Sequence, residues 1–574
     1  MTYRAPVEEI EFCARIIGQD RLAETTRFAE ATDETRAAIL DEAAKLCEGT
    51  VAPVQRAGDL HPAQLENGVV RCSPGYREAY QAIAQGGWVG ISAPAEYGGM
   101  ALPISYATMV NEMMSSACLS LSLCPLMSQG QIEALHTHAS KELQELYLPR
   151  LISGEWTGTM NLTEPQAGSD VGALTSKAEP NGDGTYAISG QKIYISWGDH
   201  DIAENICHLV LARLPDGVPG TKGISLFLVP KFLPDEDGKP GVANTLRPVS
   251  LEHKMGLHGS PTAVMEYDHA TGWLVGPEHG GMAAMFTMMN NARLGVGVQG
   301  LGVAEAATQH AIAYARDRKQ GRTPDGSASI LGHADVRRMI MTMKGLTQAS
   351  RAICLDCALN LDLAEAAGDN ADAYRARGAF LTPIAKAFST DIGSEVASLG
   401  VQVHGGMGFI EETGAAQFSR DVRVTRIYEG TNGIQAMDLV GRKLGDAGQA
   451  ARALFAEIKE TTNACATYGG DMTVVGELLD QALTASTEAT DHLLSVPEIN
   501  DRFSGAVAYL RMLALCLGTH YLARGALAAP RDQARQVMAR FFAHHFAPQA
   551  VALLPAIQHG AALLYELDAE QLSA

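Results

Sequence analysis

The sequence predicts a mostly α-helical protein with a β domain in the middle of the chain. With 574 residues, the chain is too long for one hydrophobic core and should divide into several packed units. Apolar residues recur at helical spacing on both sides of residues 157–275, where short runs of β-branched and aromatic residues alternate with Gly, Pro, Asn and Asp. This order of patterns predicts helices, then strands, then helices again.

Each predicted unit follows from a change in these patterns. The first stretch is amphipathic, with apolar residues at helical spacing, and the next continues as helices interrupted by glycine turns. The central strands are short and closely spaced, which favours an antiparallel barrel or sandwich. A Gly-Asp-Ala-Gly break separates two later helical stretches. The predicted units are an N-terminal extension (1–40), an N-terminal helical domain (41–156), a middle β domain (157–275), a C-terminal helical bundle (276–445) and an additional C-terminal helical domain (446–574).

The overall charge argues against a nucleic-acid or membrane partner. Lys and Arg number 44 against 65 Asp and Glu, a net charge of -21, whereas binding to phosphates requires clustered cations. The N-terminus carries no apolar signal-peptide core, and every apolar run is expected to fall short of a membrane span. A cytoplasmic protein is therefore expected.

The cysteines and histidines predict neither a disulfide framework nor a metal site. Cys354 and Cys357 form a C-x-x-C, which a redox or zinc pair would also use, but they lie in a helical pattern with no second pair. We interpret them as two thiols packed along a helix. His253, His258 and His279 lack ligand spacing, so no metal is assigned.

The most informative stretch is residues 426–435, Arg-Ile-Tyr-Glu-Gly-Thr-Asn-Gly-Ile-Gln. Its lone carboxylate, Glu429, stands beside Ile and Tyr, where burial is expected to raise the pKa and suit the residue to act as a general base. The glycines that follow let backbone amides approach a bound molecule. A second stretch, residues 162–170, reads Leu-Thr-Glu-Pro-Gln-Ala-Gly-Ser-Asp. The ordinary alternative for Glu429 is a cap or ion pair on a surface turn.

These two stretches resemble the paired signatures of the acyl-CoA dehydrogenase family, in the same order along the chain. The succession of helical, β and helical units over about residues 40–445 is also similar to that family. The resemblance therefore implies the acyl-CoA dehydrogenase fold plus an additional C-terminal helical domain. Both terminal additions, and the stretch at residues 333–339, resemble the subgroup that contains 3-methylmercaptopropionyl-CoA dehydrogenase.

The resemblance implies a reaction, a cofactor and a partner. FAD-dependent α,β-dehydrogenation would convert an acyl-CoA thioester into a trans-2-enoyl-CoA, with Glu429 removing the α-proton and the flavin accepting the β-hydrogen as hydride. The subgroup implies 3-methylmercaptopropionyl-CoA as substrate, methylthioacryloyl-CoA as product and an electron-transferring flavoprotein as electron acceptor. The alternatives are a short- or medium-chain fatty acyl-CoA dehydrogenase, an acyl-CoA oxidase and a DNA-binding relative without activity. The last predicts a basic surface, against which the net charge argues.

The binding residues of the family are carried over by the resemblance alone. The implied flavin contacts are Met160, Leu162, Thr163, Tyr194, Ser196, Arg318, Gln320, His333, Gln402, Gly405, Gly406, Thr431 and Gly433. The implied substrate contacts are Ser169, Met289, Asn290, Arg293 and Gly430. Tyr194 and Ser196 would cover and reach the flavin from one side of a strand, since residues i and i+2 share a face. An ordinary strand is the alternative for this pair.

The resemblance also implies an assembly. Arg318 and the stretch from Gln402 to Gly406 would touch the FAD of a neighbouring subunit, so each active site would be composite. The alternatives are a solvated helix end for Arg318 and a helix C-cap for Gly405 and Gly406. The additional C-terminal helices could cover, within one chain, the face through which shorter relatives pair their dimers. A homodimer is therefore expected.

Overall fold

The computed structural model describes residues 3–324, 326–366 and 368–574. Its first part is helical apart from one hairpin, formed by β1 (Gln64–Glu66) and β2 (Val69–Arg71). Side-chain caps begin two of the helices, because Thr32 and Ser140 each accept a hydrogen bond from the backbone N–H three residues further on. The helices are α1 (Val7–Ile17), α2 (Asp33–Leu46), α3 (Gln55–Leu60), α4 (Tyr76–Gln85), α5 (Ile104–Ala117), α6 (Leu119–His138) and α7 (Lys141–Ile152).

The middle of the chain forms a seven-stranded sheet and a separate hairpin. The strands are β3 (Trp156–Asn161), β4 (Lys177–Pro180), β5 (Tyr186–Ser196), β6 (Asn205–Arg213), β7 (Ile224–Pro230), β8 (Phe232–Pro234), β9 (Pro240–Ala243), β10 (Leu246–Leu251) and β11 (Thr262–Val275). Strands β8 and β9 form the hairpin. The other pairings run β11–β5–β4–β6–β7 and return from β7 to β11, with β10 and β3 added at the outside. This closed cycle gives the β region its barrel-like form.

The pairing in this sheet differs from the sequence prediction in one respect. Strands β3 and β4 both run parallel to β6, whereas an antiparallel sheet was expected. Parallel neighbours need a long connection rather than a tight turn. The chain between β3 and β6 provides one, since it contains the Thr163 loop and two other strands. Strand spacing alone does not reveal such a crossover, so the prediction of purely antiparallel pairing was wrong.

A second set of helices packs against the sheet and the first helices. They are α8 (Gly281–Asp317), α9 (Ala334–Ala366), α10 (Ala371–His404), α11 (Ala415–Val422) and α12 (Asn432–Asp438). Helices α8 and α10 approach closely at two glycines. A Cβ on Gly297 would lie 2.7 Å from the Ala385 carbonyl oxygen, and one on Gly300 would lie 2.4 Å from that of Ser389. This contact brings the middle of α10 against the part of α8 that faces the Glu429 turn.

The chain after residue 448 adds another group of helices. They are α13 (Gln449–Tyr468), α14 (Asp471–Ser495), α15 (Ile499–Ser504), α16 (Ala506–Ala528), α17 (Gln533–Ala552), α18 (Leu554–Gln558) and α19 (Ala569–Ser573). Polar contacts join them to the earlier helices: Tyr521 donates to Asp356 at 2.6 Å, and Arg377 bridges Asp356 and Glu457 at 2.7 and 2.5 Å. The additional helices therefore cover part of α9 and α10 within the same chain.

Helix α16 corrects the expectation that every apolar run falls short of a membrane span. By length and composition, this helix of 23 residues would suffice to cross a bilayer, since its most apolar 18-residue window has a mean hydropathy of 1.3. Its most apolar window is 78% buried inside the protein, and the helix packs against α9 and α17. A core helix surrounded by other helices passes the same test, and this one is buried in that way.

The ten cysteines all lie in the described part of the chain and are free thiols. Cys354 and Cys357 are buried on α9, where they hydrogen-bond the hydroxyls of Ser389 and Thr382. Burial raises the pKa of both thiols, that of Cys357 to about 12. Their interpretation as packed thiols is confirmed.

Candidate active site

Glu429 lies in a tight turn between a 3-10 turn at Arg423–Arg426 and helix α12. Its backbone is left-handed (φ 55°), as is that of Gly430 (φ 81°). This conformation strains a residue that carries a Cβ and suits glycine. Thr431 then caps α12, because its hydroxyl accepts a hydrogen bond from the Ile434 N–H at 3.3 Å. The turn and its cap together fix where the Glu429 side chain leaves the backbone.

The Glu429 carboxylate is placed as a base would be. Its Oε2 is inaccessible and makes no hydrogen bond to any described residue. Burial raises the pKa of Glu429 to about 7, while the positive charges of Arg293 and Lys386 act against the rise. A carboxyl group with this pKa can accept a proton near neutral pH. The free lone pairs of Oε2 are available to a bound molecule.

Arg293 lies beside this carboxylate, on helix α8. The residue is 6% exposed, and its Nη1 lies 3.5 Å from the Asp438 carboxylate on α12. Burial lowers the pKa of the guanidinium, and the Asp438 carboxylate opposes that shift. Its Nε is buried without a hydrogen-bond partner among the described residues. Arg293 therefore contributes positive charge next to Glu429 and keeps a donor without a partner among the described residues.

A cavity of about 350 Å³ lies beside Arg293, between the first helices, α8 and α10. The implied substrate contact Asn290 lines it together with Arg293, and apolar walls come from Leu126 and Val298. Met289 precedes Asn290 and packs half-buried against the core. The structure thus brings Arg293 and Gly430 next to Glu429, while Asn290 lies with Arg293 at a cavity whose described lining does not include Glu429. Ser169 lies on an exposed part of the loop that follows β3.

The second signature stretch is held by a buried ion pair. Glu164 is 3% exposed and lies 2.8 Å from Nζ of the fully buried Lys192. It also accepts hydrogen bonds from the backbone and hydroxyl groups of Thr175 and Ser176. Burial alone would raise the pKa of Glu164, but the Lys192 ammonium and these donors lower it to about 2. Glu164 thus anchors the loop that follows β3 and carries Leu162 and Thr163.

The same loop contacts the strand that carries Tyr194. The Ile193 N–H donates to the Thr163 carbonyl at 2.9 Å, so the two predicted flavin-contact segments are neighbours. Tyr194 is 61% exposed, which is unusual for so large an aromatic side chain. Met160 lies at the end of β3 and is partly exposed. This region offers an open aromatic and apolar face beside backbone groups of the loop.

The argument from alternating faces assumed a regular strand, but β5 is irregular at this point. Its pairing with β11 shifts register between Ala263 and Met265, and Tyr194 adopts a left-handed backbone (φ 60°). A bulge of this kind changes which side chains face which side of the sheet. Ser196 pairs with Thr262 just beyond the bulge. The i, i+2 spacing therefore does not by itself place Tyr194 and Ser196 on one face.

The remaining predicted contacts gather where α8 and α10 end. The Gln320 carbonyl accepts a hydrogen bond from His333 Nε2 at 2.8 Å, which folds the loop after Arg318 back on itself. His404 stacks on Tyr314 with ring centroids 4.3 Å apart, one turn before Arg318. These contacts bring the Arg318 segment close to the end of α10. His404 is 3% exposed and packs inside the protein rather than facing solvent.

Gln402, Gly405 and Gly406 are exposed at the end of α10. Gly405 is the C-cap of the helix and has a left-handed φ of 58°. A Cβ on Gly405 or Gly406 would meet no described atom within 4 Å. The helix C-cap interpretation therefore accounts for Gly405, while the backbone here remains open to another molecule. Thr431 acts as a cap, and Gly433 lies in the first turn of α12.

Lys386 and Asn432 are the site residues that the sequence reasoning missed. Lys386 is fully buried on α10, and its Nζ donates at 2.9 Å both to the Gly430 carbonyl and to Asn432 Oδ1. A signal for it exists in the sequence, since it is the single charge in the apolar run at residues 379–388. Charged residues are seldom fully buried without a role for the charge.

Four family models match almost the whole chain. They are "Acyl-CoA dehydrogenase, N-terminal domain" over residues 33–155, "Acyl-CoA dehydrogenase, middle domain" over residues 159–270, "Acyl-CoA dehydrogenase, C-terminal domain" over residues 279–444 and "Acetyl-CoA dehydrogenase C-terminal like" over residues 454–568. The chain belongs to the acyl-CoA dehydrogenase family. It is accordingly an oxidoreductase that acts on acyl-CoA thioesters with FAD as cofactor, and the predicted fold class is confirmed.

Two relatives are similar over most of the chain. The 3-methylmercaptopropionyl-CoA dehydrogenase of Ruegeria pomeroyi is 46% identical over 550 residues, which cover 94% of each chain. A butyryl-CoA dehydrogenase of Syntrophomonas wolfei is 37% identical over 426 residues, 71% of this chain and 69% of the relative. The resemblance to the first enzyme thus includes the regions beyond residues 40–445, as the subgroup assignment predicted.

Two solved structures share the whole fold. The structure of Caenorhabditis elegans ACDH-11 in complex with C11-CoA has a TM-score of 0.81 at 21% identity and covers 95% of this chain and 92% of that one. An acyl-CoA dehydrogenase of Bacillus anthracis complexed with FAD has a TM-score of 0.75 at 19% identity, with coverages of 94% and 90%. Both align with the additional C-terminal helices as well as with the core.

The residues at the site fit FAD. The exposed Tyr194 ring lies beside the Thr163 loop, where an aromatic surface and backbone polar groups are both available. The glycines at the end of α10 leave room for a close approach to backbone. Glu429 Oε2 and Arg293 Nε are buried polar atoms without a hydrogen-bond partner among the described residues. Such atoms in a protein core commonly mark a binding site.

Proposed function

We propose that the chain oxidises 3-methylmercaptopropionyl-CoA to methylthioacryloyl-CoA. The observation that carries this proposal is the 46% identity to the Ruegeria pomeroyi enzyme over 94% of both chains, including the additional helices. A relative that matched only the core would support no more than the general reaction. The substrate differs from pentanoyl-CoA by a sulfur atom in place of one methylene, so the apolar pocket must accept a group of nearly the same shape.

The proposed chemistry uses Glu429 as the base. Its carboxylate removes the proton α to the thioester carbonyl, and the β-hydrogen leaves with its electron pair, so that a trans double bond forms between the two carbons. Bound FAD supplies the acceptor for that hydride. Burial of Glu429 favours proton uptake near neutral pH, and Arg293 keeps a fraction of the carboxyl ionised and ready to act.

The binding roles of the other residues are part of the proposal. Leu162, Thr163, Tyr194 and Ser196 would hold the flavin from the β region, supported by the hydrogen bond that joins the Thr163 loop to the strand of the exposed Tyr194. Arg293, with Asn290 at the neighbouring cavity, would face the thioester end of the substrate. Electrons would pass on to an electron-transferring flavoprotein, and the cytoplasmic location stays a prediction.

Substrate choice is tested with a matched panel. We expect kcat/KM to be higher for 3-methylmercaptopropionyl-CoA than for pentanoyl-CoA, its all-carbon counterpart, because the pocket of a dedicated enzyme would favour the longer C–S bonds and the polarisable sulfur. Butyryl-CoA and octanoyl-CoA complete the panel. A preference for any of the alkyl substrates would assign the chain to short- or medium-chain fatty acyl-CoA oxidation, the second candidate, which the butyryl-CoA dehydrogenase relative favours.

The same panel separates a dehydrogenase from an oxidase. Substrate added without oxygen should bleach the flavin absorbance in both cases. Admitting oxygen should restore the colour slowly in a dehydrogenase and within a few turnovers in an oxidase. Rapid recovery with equal amounts of hydrogen peroxide would replace the proposed electron acceptor with dioxygen.

We also propose a homodimer with shared flavin contacts. The support is the exposure of Gln402, Gly405 and Gly406 in the single chain, together with the cover that the additional helices give to α9 and α10. Light scattering should give twice the chain mass of 60.9 kDa. The variant Arg318→Ala should lose FAD on gel filtration, whereas Arg316→Ala, exposed on the same helix end, should keep it. A monomer with full FAD would refute the shared contacts, and a tetramer would refute the covering role.

A further inference from the structure

We propose that Lys386 is a positioning residue for the base. Its buried ammonium holds the turn that presents Glu429 and provides positive charge against which the carboxylate ionises. The inference rests on the proposed role of Glu429 and extends it to a residue on a different helix. No family signature quoted above includes Lys386.

The first support is the hydrogen bonding of the ammonium. Lys386 Nζ donates to the Gly430 carbonyl at 2.9 Å and to Asn432 Oδ1 at 2.9 Å. These acceptors are the first and third residues after Glu429. An ammonium group has three donors, so two are used on the turn and one is left. The lysine thus joins α10 directly to the two residues that determine how the turn leaves Glu429.

Asn432 extends this attachment to three further groups of α10. Its Nδ2, with two N–H donors, lies within hydrogen-bonding distance of three acceptors, the Ala387 carbonyl at 3.1 Å, Thr390 Oγ1 at 3.0 Å and Asp391 Oδ1 at 2.9 Å. Its Oδ1 is therefore oriented toward Lys386. A left-handed backbone at a residue with a Cβ persists only where neighbouring contacts hold it. Lys386 and Asn432 supply such contacts for Glu429.

The second support is the set of charges around Lys386. The groups that face it are Glu429 and Arg426 from the turn, Asp391 from its own helix and Arg293 from α8. Asp391 is engaged by Arg426, whose Nε lies 2.5 Å away. Among the residues that the structure describes, no carboxylate lies within 4 Å of Lys386 Nζ, so no direct ion pair neutralises it. Glu429 is the buried acid on which this positive charge acts.

Lys386 and Glu429 shift each other's pKa. Burial lowers the pKa of Lys386 to about 7, and the negative charge of Glu429 opposes the shift. The positive charge of Lys386 in turn keeps the pKa of Glu429 from rising further. Removing the lysine charge should therefore leave the carboxyl protonated to a higher pH.

The test is the pH dependence of kcat/KM in the FAD-loaded variant Lys386→Met. Methionine keeps much of the side-chain volume but removes the charge and both hydrogen bonds. We expect the acidic limb of the profile to move up by about one pH unit. At pH 7, kcat/KM should fall about fivefold, since a one-unit rise in a pKa of about 7 lowers the ionised fraction from about a half to about a tenth. FAD content should stay at the level of the unchanged protein. The surface variant Lys459→Met serves as the matched control.

If the methionine variant folds poorly, the variant Lys386→Arg tests the role of the charge instead. It keeps the charge while changing the hydrogen bonds, so its acidic limb should coincide with that of the unchanged protein even where kcat falls. An unmoved limb in Lys386→Met, or a shifted limb in Lys386→Arg, would overturn the proposal. Failure of the proposed function would appear differently, as full turnover in a Glu429→Gln variant whatever residue stands at position 386.

Discussion

Replacing Glu429 with Gln is expected to lower kcat by about two to four powers of ten, the range typical of losing a general base. Glutamine preserves the shape of the side chain and its hydrogen-bonding capacity, so the turn and its contacts with Lys386 and Gln435 should persist. FAD should remain bound in full. Stopped-flow reduction of the flavin by substrate measures the affected step directly, and flavin absorbance after gel filtration measures the cofactor content.

The unchanged protein should show the matching pH dependence. Since the pKa of Glu429 is raised to about 7, the base is protonated below that value, and kcat/KM should fall about tenfold for each pH unit on the acidic side. The exposed Glu412, in the loop that precedes α11, provides a control because Glu412→Gln should change neither quantity. Near-normal reduction in Glu429→Gln would mean that another residue abstracts the proton.

The substitution Glu164→Gln should destabilise the protein by about 3–5 kcal/mol, the cost of leaving one member of a buried ion pair without its partner. Lys192 would be left fully buried without its counter-charge, and its pKa, which burial lowers and Glu164 raises, would fall further. The hydroxyls of Thr175 and Ser176 would lose an ionised acceptor. The measurement is the shift in the urea midpoint of unfolding, or in Tm where unfolding is irreversible. Weaker FAD retention should accompany it, because the same loop carries Thr163.

The double variant Glu164→Gln with Lys192→Met is the control for this effect. It removes both charges, so stability should recover much of the loss. The pH dependence has a defined sign. Because the folded-state pKa of Glu164 is lowered to about 2, the pair contributes fully above the ordinary carboxyl pKa and loses its contribution as the pH falls through about 2. A single variant as stable as the unchanged protein would contradict the anchoring role.

The features that the sequence predicted correctly are those that depend on residues close together in the chain. Helical spacing and glycine breaks predicted the helical flanks, and a signature of adjacent residues predicted Glu429 and its raised pKa. Contacts between segments distant in the sequence leave no such pattern. The parallel pairing of β3 with β6 depends on a connection of more than forty residues, and the bulge at Tyr194 depends on the register of β11 against β5.

Lys386 shows the same limit at the site itself. Its partner is 44 positions away, at Gly430, and only the folded chain brings the two together. The sequence does show a charge among apolar helix residues, which identifies a buried lysine without naming what it contacts. Arg293 was predicted from a signature to bind substrate, yet its position next to Glu429 and Asp438 emerges only in the folded chain, where its Nη1 lies 3.5 Å from the Asp438 carboxylate.

The left-handed backbone of Glu429 has a consequence for how this protein can change over generations. Position 429 is one that glycine or asparagine would occupy with less strain, by roughly 1 kcal/mol. The proposed role of Glu429 as the base would explain why a residue that its own backbone disfavours stands here, because only a carboxylate could perform that chemistry. A variant with glycine at this position should thus fold and accumulate normally but lack enzymatic activity. A related protein that retains glutamate at this position is expected to retain the reaction, whereas one in which it is replaced is expected to have lost it.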